Sequence, residues 1–79
     1  MTDSPFHIVL TLDRIWLFAW PGAEPEDLEA HVEGFVSCLG PFDDEGLLDL
    51  LHAEWPDLAR LRNAEIASVL NGEIASVAL

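Results

Sequence analysis

The sequence predicts an α+β fold: an N-terminal antiparallel β-hairpin, two to three helices packed on one face, and a C-terminal strand or hairpin completing a small antiparallel sheet. Three observations predict it. Two short runs rich in β-branched and aromatic residues, Phe6-His-Ile-Val-Leu-Thr-Leu12 and Ile15-Trp-Leu-Phe-Ala-Trp20, flank Asp13-Arg14 and read as strands. From Pro25 to Leu70 the apolar residues recur at helical spacing. The chain then passes Asn71-Gly72 and ends on a short apolar stretch, Ile74 to Leu79.

In the hairpin, a two-residue turn pairs Leu12 with Ile15, Leu10 with Leu17 and Ile8 with Ala19, which makes one face wholly apolar. The other face carries Thr11 with Trp16, Val9 with Phe18 and His7 with Trp20. The aliphatic face is core. The aromatic face (Trp16, Phe18, Trp20) needs a cover, from the third helix or the terminal strand, or a partner. Asp-Arg is not a favoured type I′ pair, so a longer turn is also compatible with the sequence.

Pro21-Gly22 ends the second strand, and Pro25 suits the first turn of a helix. Leu28, Val32, Phe35, Val36 and Leu39 then form one helical stripe, which Gly40-Pro41 closes. A second helix follows with Asp43 as N-cap, Phe42 and Leu47 at hydrophobic-staple spacing, Leu47, Leu48, Leu51 and Trp55 facing inward, and Pro56 at its end. A third begins near Asp57, with Leu58, Leu61, Ile66, Val69 and Leu70 in one broad arc.

The phrase Asn-[Ala/Gly]-Glu-Ile-Ala-Ser-Val occurs twice, from Asn63 and from Asn71. Eight residues place the second copy about 80° around a helix from the first, so the two cannot share a helical face. Asn71-Gly72 is either a helix C-cap before a terminal strand or the turn of a β-hairpin. The first copy continues the arc from Leu58, which favours helix, cap and strand. A helix-turn-helix reader is disfavoured, because no Arg, Lys or Gln follows Gly72 to meet a base or a phosphate.

Seventy-nine residues make one domain, 1–79. A chain this short buries only about 60–65% of its surface, so its core must be dense in large apolar groups. A hydrophobic content of 51% supplies them. A single cysteine, Cys38, excludes an internal disulfide. Met-Thr-Asp-Ser-Pro-Phe lacks a basic n-region, and the apolar run Ile15 to Trp20 is too short to span a bilayer. A soluble cytoplasmic protein with no membrane contact is expected; the sequence leaves the oligomeric state open, with a monomer favoured.

Charge is the dominant signal. Fifteen acids face three bases, a net charge of −12, and there is no Lys. No base lies between Arg14 and Arg60, yet that gap holds eleven of the fifteen acids. Such a field repels nucleic acid and attracts cationic protein surfaces. The candidate partner-binding residues are therefore Glu24, Glu26, Asp27, Glu29, Glu33, Asp43, Asp44, Glu45, Asp49 and Glu54, with Trp16, Phe18 and Trp20 as a secondary apolar patch. Solubility alone is the simplest competing explanation of the acidity.

Catalytic signatures are absent: no G-x-S-x-G, H-E-x-x-H or C-x-x-C, and no glycine spacing for a phosphate loop. An EF-hand around Gly46 fails because Pro41 would occupy its first ligand position. His7, His31 and His52 lie on different elements, without metal-ligand spacing. No catalytic residue, metal or cofactor is expected.

In size, in the acid stretch from Glu24 to Asp57, and in lacking both Lys and a catalytic motif, the chain resembles the small acidic inhibitors of phages, the DNA-mimic anti-restriction and anti-CRISPR proteins. The resemblance implies a non-enzymatic inhibitor that blocks the nucleic-acid-binding surface of a CRISPR effector or another basic DNA-binding protein. Ser4-Pro-Phe6, Trp20-Pro21 and Trp55-Pro-Asp-Leu58 also resemble MbtH-like proteins, accessory subunits of adenylation enzymes. That likeness implies binding through the aromatic face. The chain departs from it where Asp13-Arg-Ile-Trp-Leu replaces a polar Asn-x-Glu-x-Gln run, and where a helix is expected in place of a third strand.

Overall fold

The computed structural model describes residues 5–79. The elements are β1 (Phe6–Thr11), β2 (Ile15–Ala19), α1 (Pro25–His31), β3 (Phe35–Phe42), α2 (Asp44–Glu54), α3 (Pro56–Leu61), α4 (Asn63–Leu70) and β4 (Ser76–Ala78). The strands form one antiparallel sheet in the order β3-β1-β2-β4. The α+β class, the N-terminal hairpin and the closing strand are as the sequence predicts.

Strand alternation sorts the core into two layers. Phe6, Ile8 and Leu17 pack with Leu47 and Leu51 of α2, Ala59 of α3, and Ile66 and Val69 of α4. One residue along each strand, Val9 and Phe18 lie on the opposite face with Leu28 and Val32, from and just beyond α1. Three helices thus cover one face and α1 alone covers the other. Leu17, Leu28, Leu47 and Leu51 have no solvent exposure. Truncating any one of them to alanine costs about 2–5 kcal/mol.

The hairpin register differs from the expected one by two residues. Leu10 pairs Ile15, Ile8 pairs Leu17 and Phe6 pairs Ala19. A two-residue shift leaves every side chain on its expected face, but it places Leu12 in the connection, 86% exposed, rather than in the core. Thr11 fixes the reversal: its N–H donates to the Arg14 carbonyl at 2.9 Å, and its Oγ1 accepts the Arg14 N–H at 2.9 Å.

The expected helix over Leu28–Leu39 ends early. Pro25 does occupy the first turn, but α1 stops at His31. Gly34 follows with φ +77°, and Phe35–Phe42 forms a third strand against β1. Gly40 and Pro41, joined by a cis peptide bond, lie inside β3 rather than capping a helix. The physical reason is β1, which is buried on both faces from Phe6 to Val9. A strand so buried needs backbone partners on both sides, and β3 supplies the second. Cys38 accordingly sits half-buried on β3 beside Val9, not on a helix.

The second helix forms as expected: Asp43 is the N-cap, and its Oδ1 accepts the Gly46 N–H at 2.7 Å. The third is divided. Arg62, at φ −108° and ψ 22°, separates α3 from α4, and the reorientation leaves Leu61 75% exposed rather than in a common arc. After α4, Gly72 adopts φ +79°. Its N–H donates to the Val69 carbonyl at 3.1 Å, and the Glu73 N–H to that of Ser68 at 2.9 Å. This pair of bonds is a Schellman cap. The first copy of the repeated phrase is therefore helical and the second leads into β4.

Candidate functional site

Two surfaces contain the candidate residues. The first is acidic. Glu24 is the N-cap of α1, and the Asp27 carboxylate accepts the Glu24 N–H at 2.9 Å. Glu26, Glu29 and Glu33 are exposed. On α2, Asp44, Glu45, Asp49 and Glu54 are exposed, whereas Asp43 is half-buried by its capping bond. Acids in a first helical turn also face the positive end of the helix dipole. Asp27 and Asp43 are thus partly occupied by structure.

Topology decides which of these carboxylates gather. Both α1 and α2 begin at the sheet end where Phe6 pairs Ala19 and Phe42. Glu24, Glu26 and Asp27 stand at that end on one side of the sheet, and Asp43, Asp44 and Glu45 on the other. Glu33 is brought instead to the opposite end, beside the hairpin connection. Glu54 lies about 15 Å along α2 from Asp44.

None of the ten forms an ion pair among the described residues. Among the described residues the ion pairs are Arg60–Asp57 at 3.6 Å and Arg62–Glu65 at 3.1 Å. Both lie within or beside the helical pair α3–α4, and neither includes a candidate carboxylate.

The second surface is aromatic. Trp16, Phe18 and Trp20 share the β2 face that α1 covers in part. Phe18 is core, 5% exposed, whereas Trp16 and Trp20 are half-buried. The cover is α1, not the third helix or the terminal strand. His31, at the end of α1, meets the rings of Phe18 and Trp20 edge-on, at centroid distances of 5.8 and 5.7 Å. Trp16 and Phe18 lie 5.9 Å apart at 34°. Because α1 is only seven residues long, this face stays open over β2 and β4. A cleft of about 660 Å³ lies there, bounded by Trp16, Phe18, His31, Ser76 and the hairpin connection.

His31 reads in the sequence as an isolated surface or boundary histidine, and its place on the aromatic wall follows only from the short α1. His7 is buried on β1, where its Nε2–H donates to the Trp20 carbonyl at 3.1 Å. His52 is exposed on α2. Among the described residues no group of three or more His, Cys, Asp or Glu side chains is placed to hold a metal ion, and no helix is long and apolar enough to cross a membrane. Ser4, part of the MbtH-like likeness, lies outside the described residues. No protein-family model, curated protein or solved structure matches this chain.

Proposed function

We propose that this chain is a non-enzymatic acidic binding module that occupies the nucleic-acid-binding surface of a basic protein, as a DNA mimic of the anti-CRISPR or anti-restriction kind. The observation that carries the reading is the set of ten candidate carboxylates, none of them ion-paired among the described residues and nine of them on the exposed surface. Charge density supports it. The long axis is 34 Å and the net charge is −12, roughly one net negative charge per 3 Å, against one per about 1.7 Å along duplex DNA. A surface that binds phosphates through Lys and Arg meets a field of the same sign here, at a little over half the duplex's density.

The test is capture of tagged protein complexes from a bacterial lysate containing CRISPR and restriction systems, with and without excess duplex DNA. A nucleic-acid-binding complex that is retained, and that duplex DNA displaces, supports mimicry. One held regardless of DNA overturns it.

A second reading, an accessory subunit docking through aromatic residues, is favoured by the half-exposed Trp16 and Trp20 and by β3, the third strand. In that case Trp16→Ala abolishes binding in a folded protein, and reversal of the acids does not.

A further inference from the structure

The aromatic cleft is not explained by the acidic surface, since a phosphate mimic needs no half-exposed tryptophan. We infer that this cleft is a pocket for a guanidinium side chain: Trp16 and Phe18, with His31 beside them, form its wall, and Asp13 and Glu33 stand at its rim. The inference rests on the reading of a basic partner and names the side chain that anchors it.

Four features converge on an arginine. The faces of Trp and Phe rings carry negative potential and attract cations. A planar guanidinium stacks on such faces, whereas a compact ammonium does not. Its aliphatic stem lies against apolar walls while its head reaches a carboxylate. Two carboxylates line the cleft against one internal cation, Arg14, so the lining is net negative, within a chain of net charge −12 that draws cations inward. Asp13 stands in the hairpin connection, its Oδ1 3.4 Å from the Thr11 Oγ1, whose hydroxyl also reaches the Arg14 carbonyl at 3.1 Å. A smaller hollow of about 300 Å³ continues the cleft past Phe18 and His31 to Trp20. The trough therefore runs on along β2, leaving room for the backbone that flanks the arginine.

The experiment is an amide and indole NMR titration of the whole chain with three probes at low salt. They are acetyl-Gly-Arg-Gly-amide, the same peptide with neutral citrulline in place of arginine, and octa-arginine. The arginine tripeptide is expected to move the indole resonances of Trp16 and Trp20 and to leave Trp55, on the opposite face of the sheet, in place. The citrulline peptide, Trp16→Leu and Glu33→Gln are each expected to weaken binding by about tenfold. Glu33 is exposed, so that variant tests the pocket even where Trp16→Leu perturbs folding. Equal binding of the arginine and citrulline peptides overturns the inference. So do shifts confined to the first turns of α1 and α2, although these leave the acidic module intact. If octa-arginine shifts nothing, the basic-partner reading falls with it.

Discussion

At Gly40 a single methyl group has nowhere to go. A Cβ there would stand 2.8 Å from the Phe6 carbonyl oxygen and 3.3 Å from His7 Cα, and the residue's φ is +121°. Both obstacles are backbone, in the central strand, so relief requires separating β3 from β1. Gly40→Ala is expected to destabilise the protein by about 2–4 kcal/mol, read as a lowered urea midpoint. Asp43→Ala removes one hydrogen bond from an otherwise sound helix and is expected to cost about 1 kcal/mol in the same assay. Asp43 thus differs from its neighbours Asp44 and Glu45, whose carboxylates are exposed and free of any capping role.

The elements separate charge from fold. Glu26, Glu29 and Glu33 are exposed, and the capping bond of α1 comes from Asp27. Reversing all three to Lys is expected to leave the circular dichroism spectrum unchanged and to lower stability by no more than about 2 kcal/mol, mainly through Glu26 at the helix dipole. Partner binding is expected to be abolished in the same variant. Binding retained by the folded triple variant would overturn the acidic reading and, because Glu33 also stands at the rim of the aromatic cleft, would leave Trp16 rather than a rim carboxylate as the contact. The same elements explain what could be read from sequence. The hairpin, the Asp43 cap and the Gly72 cap are local, and their residues state them. The stretch from Val32 to Phe42 is not local. Leu28, Val32, Phe35, Val36 and Leu39 satisfy a helical period, but the open side of β1 takes the chain as strand. A signal was present: His7, Val9 and Thr11 alternate with apolar residues in a strand that no two-stranded hairpin can shield on both sides. The ten acids were legible as a set, but their division between two sides of a sheet was not, because it depends on that strand. The aromatic groove was only half legible, since its width is set by the length of α1.

For the whole molecule the controlling quantity is the uncompensated field. If binding is driven by charge, affinity for the partner is expected to fall on the order of tenfold or more between 50 and 200 mM salt, measured by titration at each ionic strength. Affinity indifferent to salt would refute the charge-driven mechanism. The sheet itself has two open edges. One is β4, only three residues long. The other is β3, eight residues long, with Val36 and Leu39 exposed on it. A long edge of that kind is a template on which further chains add strand by strand into aggregates. Here β3 is irregular, with shifts of register at two places along β1, and Pro41 offers no N–H to an incoming strand. The irregularity that hides this strand from a periodicity argument therefore also makes it a poor template for a second chain.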